Sequence, residues 1–488
     1  MSPDSGVSRE NPCDDDEGMN EYLTPIESIM WRVGQDATLR MTVGALMLLD
    51  KSPGEEALAK HFSTASKDMP RLRQRPDDPT FTRLRPAWID DDHDIEQHIR
   101  SIAIASPGSL RDLLDLIGLL EAVPFDPERP PWDVTLVEGL ENGRAALFFR
   151  AHHVLTDGVG GIRLAGALLD PPESAGAEKK TPARRDPEPA PRERPHDRRR
   201  GTVTIDLTKA TRPVRHGAHF AREVATLDSV VRGIQRGLDV ANSVSRQVMV
   251  TGGPLSPLFE DHSMMSRFEI LSVPRARQSS RELGGSRNDL LVAAAARGLG
   301  LYHERMGQPT SVLRLATPTG QGRTRNAGGN WFAPARVEIP TGIDRPSPQF
   351  HMVADRLAQA RCEPALQIAT ALAWTISRMP SQLLLPALRA QADSVDFAAT
   401  TVPGLHSTRY ICGSRIEATY PFGPRLGCPL NITALGNDHR LDVGVALDPA
   451  AITKPEVFLE CLTESFEMFG RAATGLSSAS DPVDEAVH

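Results

Sequence analysis

The chain has 488 residues, with 55 Lys and Arg against 63 Asp and Glu, five cysteines and 40% hydrophobic residues. That length exceeds one ordinary core and calls for two or three domains or subdomains of roughly 100–200 residues each. A net charge of −8 excludes a generally basic nucleic-acid binder, and a charged content of 24% excludes a wholly disordered chain.

In chain order, residues 1–20 carry six acidic side chains against the single Arg9, the reverse of the basic start and apolar run of an export signal. They read as an acidic, disordered tail. Residues 41–49 read as a buried strand and 109–120 as a short amphipathic helix. Residues 132–138 and 145–151 read as two strands joined by a turn at Glu141-Asn142-Gly143. A Gly-rich turn follows, and residues 162–169 resume as a helix.

Residues 171–200 hold seven prolines, nine Lys/Arg and six Asp/Glu, with no large apolar residue. Such a segment buries too little apolar surface to offset its ordering entropy and reads as a linker. Beyond it, Phe220, Val224, Leu227, Val231, Ile234, Leu238, Ala241, Val244 and Val248 recur at steps of three and four, the period of one long amphipathic helix. Residues 288–302 and 454–469 also read as helices. Strands are expected at 312–317, 331–339, 396–401, 430–433 and 441–446. The mixture predicts α/β architecture in both halves. The apolar run 364–388 is interrupted by Arg378, Pro380 and Pro386, short of the ~20 residues of a membrane span. Cys13, Cys362, Cys412, Cys428 and Cys461 are widely spaced with no CxxC pair, which fits a reducing compartment. The expectation is a cytoplasmic protein, soluble or peripheral on the inner membrane face or on lipid droplets.

The strongest chemical signal is His152-His153-Val154-Leu155-Thr156-Asp157-Gly158, where a strand hands over to the Gly-rich turn. Adjacent strand side chains point to opposite faces, so one histidine can face a cavity while the other packs behind it. A histidine near neutrality suits taking a proton from an alcohol and returning it to a leaving group. Asp157 can organise the turn, and Gly158 permits a backbone approach that a Cβ would block. A metal site lacks HExxH spacing and a third clustered ligand. The run Gly158-Val159-Gly160-Gly161 fails as a dinucleotide turn, because GxGxxG requires Gly where Arg163 stands. No GxSxG occurs. A purely structural histidine pair stays open on these residues alone.

The motif HHxxxDG resembles the active-site signature of the chloramphenicol acetyltransferase and condensation-domain superfamily. The chain more closely resembles the bacterial wax ester synthase/acyl-CoA:diacylglycerol acyltransferase family. Leu23-Thr-Pro-Ile-Glu-Ser28 is similar to its LSPLD-type start, and Pro130-Pro-Trp-Asp133 with Val137-Glu-Gly-Leu140 to its RPLWE…IEGL segment. Asn288-Asp-Leu-Leu-Val-Ala293 is similar to its NDVVLA motif, and Gly329-Asn330 and Leu430-Asn-Ile-Thr433 also fit. The departures are Gly252-Gly-Pro-Leu-Ser-Pro257 in place of PLN-G-P, Thr400-Thr-Val-Pro-Gly-Leu405 in place of SNVPGP, and Met41-Thr42 in place of Met-His.

The resemblance implies two acetyltransferase-like subdomains, 21–170 and 202–475, around a central channel, joined by the linker 171–201 and followed by a tail, 476–488. It further implies transfer of a fatty acyl group from acyl-CoA to diacylglycerol or a long-chain alcohol, with no metal and no tightly bound cofactor. His153 would be the general base, with His152, Asp157 and Gly158 completing the catalytic motif. Asn288, Asp289, Asn330 and Asn431 would hold substrate, although Asn288 and Asp289 also suit the cap of the helix they begin. Two alternatives remain: acylation of a small alcohol or amine, and a catalytically weak lipid-binding or droplet-coating protein of the same fold.

Overall fold

The computed structural model describes residues 21–77, 86–92, 94–155, 161, 166, 168–170, 253–318, 334–342, 345–362, 373–404 and 409–475. The expected linker, the 220–248 helix, and Asp157, Gly158 and Asn330 lie outside the described residues.

The N-terminal half begins with helix α1 (Pro25–Gly34). Thr24 and Glu27 form a reciprocal capping box and Pro25 supplies a pre-set φ at the first position. Then come β1 (Thr42–Leu49), α2 (Glu55–Ala65), a hairpin of β2 (Gln74–Asp77) and β3 (Ala87–Asp90), β4 (Ile99–Gly108), α3 (Leu110–Ala122), β5 (Trp132–Leu140) and β6 (Ala145–His152). The C-terminal half contributes β7 (Arg267–Pro274), α4 (Ala276–Glu282), α5 (Arg287–Arg305), β8 (Val312–Pro318), β9 (Pro334–Pro340), α6 (Pro346–Ala360), α7 (Ser381–Asp393), β10 (Phe397–Pro403), β11 (Tyr410–Ile411), β12 (Ser414–Phe422), β13 (Leu430–Gly436), β14 (Arg440–Leu447) and α8 (Pro455–Ala473).

The strands form two six-stranded sheets. The first has the order β11-β12-β1-β6-β5-β4 and the second β7-β14-β13-β10-β8-β9. The sequence reading does not anticipate that β11 and β12 leave the C-terminal half to join the N-terminal sheet. There β12 pairs antiparallel with β1, from Gly44↔Phe422 to Leu49↔Ile416. The halves are thus joined by a shared hydrogen-bond ladder.

The C-terminal core surrounds α5, where residues 289–300 are buried throughout. Its Ala-rich run, Ala293 to Ala296, lets the sheet and helix α8 approach from different sides. A Cβ at Gly298 would meet the Leu462 backbone at 3.0 Å, so the glycine sets that helix spacing. In the N-terminal sheet the alternation is clean. Leu46, Ala146 and Phe148 face α3 and the other half, whereas Met47, Leu147 and Ala151 face α2.

Candidate active site

The paired histidines stand at the end of β6. Thr42 of β1 is the register partner of His152, and the His153 amide donates to the Met41 carbonyl at 2.7 Å, one step beyond the ladder. The sheet therefore fixes both backbones, His152 as the last residue of β6 and His153 as the first of the turn that follows.

His152 is 3% exposed. Trp31 lies edge-on to its ring at 5.2 Å and Phe125 at 6.5 Å. Gly34 abuts its far edge so closely that an added Cβ would come within 2.0 Å of Nε2. The Val154 amide donates to Nδ1 at 3.1 Å, which puts the ring proton on Nε2. Nε2 has no hydrogen-bond partner among the described residues. Burial, with a smaller push from His153, takes the His152 pKa down to about 3. His152 is thus a neutral imidazole at any physiological pH. His153 is half-buried.

A charged brace stands behind the pair. Arg150, 2% exposed, makes a bidentate contact with Asp133, its direct register partner on β5. Its Nε lies 2.8 and 2.9 Å from the two carboxylate oxygens, and Nη2 lies 2.6 Å from one of them. Nη1 donates to the Leu120 carbonyl and, at 2.6 Å, to that of Val123, closing the last turn of α3. The guanidinium lies 4.7 Å from the Phe125 ring centre, so the brace ends on the aromatic that packs against His152.

On the His152 face of the sheet, a narrow crevice between the halves is lined by Thr42, Glu121, Phe148, Ser266, Phe422 and Arg425. Burial raises the Glu121 carboxyl above the ordinary range, opposed by Arg40, Arg425 and Arg150.

Asn288 and Asp289 occupy the first turn of α5. Ser286 is the cap, and Asp289 returns the capping box by accepting from the Ser286 amide and hydroxyl, both at 2.8 Å. Asn288 Oδ1 accepts from the Thr401 amide at 3.1 Å, tying α5 to β10. Asn431 donates to the Pro424 carbonyl at 2.9 Å and accepts from Thr433 at 2.7 Å, while Thr433 Oγ1 accepts from the Gly423 amide. That network fixes the point where the chain leaves β12 and returns to the C-terminal sheet through β13. The structure brings His152 and His153 together, and it places Asn288, Asp289 and Asn431 as anchors of the C-terminal framework. Among the described residues no group of three or more His, Cys, Asp and Glu side chains is arranged to hold a metal ion.

Residues 23–291 match the wax ester synthase/diacylglycerol acyltransferase catalytic domain, and residues 328–469 match the C-terminal domain of the same family. The chain belongs to that family.

As a family member it is an acyltransferase. A Mycobacterium tuberculosis protein provisionally named a diacylglycerol O-acyltransferase is 31% identical over 460 residues, covering 92% of this chain and 91% of its own. The solved wax ester synthase/diacylglycerol acyltransferase from Marinobacter aquaeolei VT8 superposes with a TM-score of 0.61 at 20% identity, covering 93% of this chain and all of that one. A mutant starter condensation domain of rhizomide synthetase, solved in complex with C8-CoA and Leu-SNAC, shares the fold at a TM-score of 0.55 and 12% identity, with 96% of each chain covered. These likenesses establish the two-subdomain α/β architecture expected from the motifs.

Sequence reasoning passed over the Arg150–Asp133 brace and the wall formed by Trp31, Gly34 and Phe125. The signal for the first was present: Asp133 and Arg150 are charges set within the largely apolar strands Trp132–Leu140 and Ala145–His152. The wall comes from elements distant in sequence and left no local pattern.

Proposed function

We propose that this acyltransferase moves a fatty acyl group from an acyl-CoA thioester to the hydroxyl of a diacylglycerol or long-chain alcohol, with His153 as general base. The observation that carries the reading is the asymmetry of the pair. Buried His152 is held neutral, which leaves His153, at the strand's end, as the imidazole able to gain and return a proton.

In the proposed step His153 takes the acceptor hydroxyl proton as the oxygen attacks the thioester carbonyl. The tetrahedral intermediate then expels the CoA thiolate, which receives the proton from the imidazolium. The thioester is already activated and a ternary complex supplies proximity, so no acyl-enzyme and no tightly bound cofactor enter the scheme. Asp157 and Gly158 are assigned to shaping the turn after the histidines, and Asn330 to substrate. Asn288, Asp289 and Asn431 would serve substrate binding through the strands and helix end that they fix. The acceptor is water-insoluble, so working contact with a membrane or droplet surface belongs to the same proposal. Among the described residues no helix is long and apolar enough to cross a membrane.

The test is product analysis. Purified protein is incubated with radiolabelled palmitoyl-CoA and either dioleoylglycerol or hexadecanol, and the lipid extract is separated. Labelled triacylglycerol or wax ester is the expected product, and His153→Ala, with unchanged thermal stability, should lower its rate by about 100- to 10,000-fold. Near wild-type turnover in folded His153→Ala would remove His153 from the base role.

A further inference from the structure

Helix α1 is held between the two halves, and its sides meet different partners. One side packs into the C-terminal half. Met30 and Val33 share an apolar cluster with Leu384 of α7, and Ile376 and Met379 of the preceding turn pack against that cluster. The other edge carries Trp31, edge-on to the His152 ring, and Gly34, whose backbone abuts Nε2. Trp31 also shares a cluster with Val154, the residue whose amide fixes the His152 tautomer. Any displacement of α1 therefore displaces the wall around His152.

Two polar contacts fix α1 from the C-terminal half. Arg32 Nη1 donates to the Ser377 carbonyl at 2.8 Å, and Nη2 donates to the Met379 carbonyl at 2.6 Å and to Ser381 Oγ at 2.9 Å. Those carbonyls lie between a helical turn at 373–376 and the start of α7, where backbone oxygens lack ladder partners. One planar guanidinium reaches all three oxygens, a fork that a lysine ammonium does not reproduce. Just beyond α1, buried Asp36 pairs through one carboxylate oxygen with Arg389 of α7. Its other oxygen accepts from the Thr38 amide at 3.0 Å and the Thr38 hydroxyl at 2.6 Å, which sets the turn from α1 into β1. That turn delivers Met41, whose carbonyl holds the His153 amide, and Thr42, the register partner of His152. The contacts thus lead to the His152 ring through Trp31 and Gly34, and to the His153 backbone through Met41.

We propose that Arg32, Asp36 and Arg389 are positioning residues, which couple the docking of residues 373–393 on α1 to the placement of the His152–His153 pair. The proposal rests on the reading that His153 acts as base beside a neutral His152. The motif that carries the chemistry lies wholly in the N-terminal half, yet the C-terminal half holds the helix that walls it. Transfer is then competent only while α7 is seated, and a loosened α1 frees the His152 ring to turn or to take a proton.

The experiment uses the full chain with 15N-labelled histidine, the ring signals being assigned with His152→Asn and His153→Asn. A neutral imidazole held in one tautomer shows two widely separated ring nitrogen signals, and protonation or tautomer exchange brings them together. Wild type should keep that separation for His152 at pH 5.5. In Arg32→Ala and Arg389→Gln it should shrink by at least a third. With palmitoyl-CoA and hexadecanol the same variants should lose about tenfold or more in kcat, with KM within about threefold, because placement rather than binding is disturbed. Arg32→Lys should recover part of both losses. Arg378 lies on the same segment but stacks on Trp374 at 3.7 Å, so Arg378→Ala should leave kcat within about twofold and the His152 signals unchanged. Should Arg32→Ala fail to fold, Arg389→Gln, at a side chain 51% exposed, carries the test. Unchanged His152 signals in a folded clamp variant overturn the proposal, whatever happens to rate or melting temperature. An equal change in Arg378→Ala overturns the assignment to these three residues. The spectra need no substrate, so altered signals uphold the coupling even where no ester forms, a result that would count against the proposed function instead.

Discussion

Replacing Arg150 should unfold the N-terminal half more readily than any nearby surface change. In Arg150→Met the apolar bulk stays, but Asp133, whose side chain is 14% exposed, loses three contacts of 2.6 to 2.9 Å. Breaking a buried ion pair from one side costs about 3–5 kcal/mol. Arg100, 3.2 Å from the same carboxylate but 43% exposed, retains part of the compensation and argues for the lower end. The carbonyls of Leu120 and Val123 lose their donor at about 1 kcal/mol each, which returns the total to about 3–5 kcal/mol. For a unit of some 150 residues this corresponds to a fall of roughly 6–20 °C in melting temperature. The assay is thermal and urea unfolding followed by tryptophan fluorescence, which reports this half through Trp31, Trp88 and Trp132. The decisive variant is the double substitution Arg150→Met with Asp133→Leu. With both charges gone, it should be more stable than the sum of the single losses by at least about 1.5 kcal/mol. Additive losses, or a single-variant shift below 2 °C, would refute the brace.

Acid should destabilise the protein partly through His152. Its folded pKa is about 3 against an ordinary 6.5, so below pH 6.5 the unfolded chain binds a proton that the folded one refuses, and stability falls with pH until about pH 3. The slope from this group is ~1.4 kcal/mol per pH unit, and His152→Asn should flatten the stability–pH curve between 4 and 6 by that amount; an unchanged slope would show that the ring protonates in the folded state. Gly34→Ala places a methyl group against Nε2, so activity should fall at least tenfold, with partial recovery of stability when His152→Ala is added; full activity in Gly34→Ala would show that the His152 ring need not stay where it is. Cleavage at a protease site engineered between residues 171 and 201 should leave both fragments co-eluting, because β12 remains hydrogen-bonded into the N-terminal sheet; fragments that part on gel filtration would contradict that ladder.

Local periodicity carried much of the fold. The strand expected at 41–49 is Thr42–Leu49, the one at 441–446 is Arg440–Leu447, and the helix expected at 109–120 is Leu110–Ala122, with Ser109 as its cap. Those elements are bounded by turn or capping residues, and the apolar runs within them match the burial. Strands β2, β3, β4, β7, β11 and β12 are not anticipated. β12 alternates adequately, but its partner β1 lies in the other half, and no local pattern announces a non-local pairing. The same limit applies at the site. HHxxxDG was legible as a motif, whereas the difference between its two histidines depends on Trp31, Gly34 and Phe125, which only folding brings to one ring. Asp133 and Arg150 became a pair only through the β5–β6 register.

Two adjacent imidazoles are an awkward way to place one base, and the burial of His152 resolves the difficulty. Were His152 protonated as well, its like charge would disfavour the imidazolium that the proposed reaction requires at His153. Withdrawing His152 from water, and giving its Nδ1 the Val154 amide, removes that charge before substrate arrives. An exposed first histidine would share the proton with its neighbour and blur which ring acts. The close fit of Gly34 and the Arg150 brace that ends on Phe125 hold the His152 ring in place, and under the proposed mechanism they would bear on proton transfer without touching the reacting atoms. In the proposed scheme the base is defined as much by the neutrality of the residue before it as by its own position just beyond the strand.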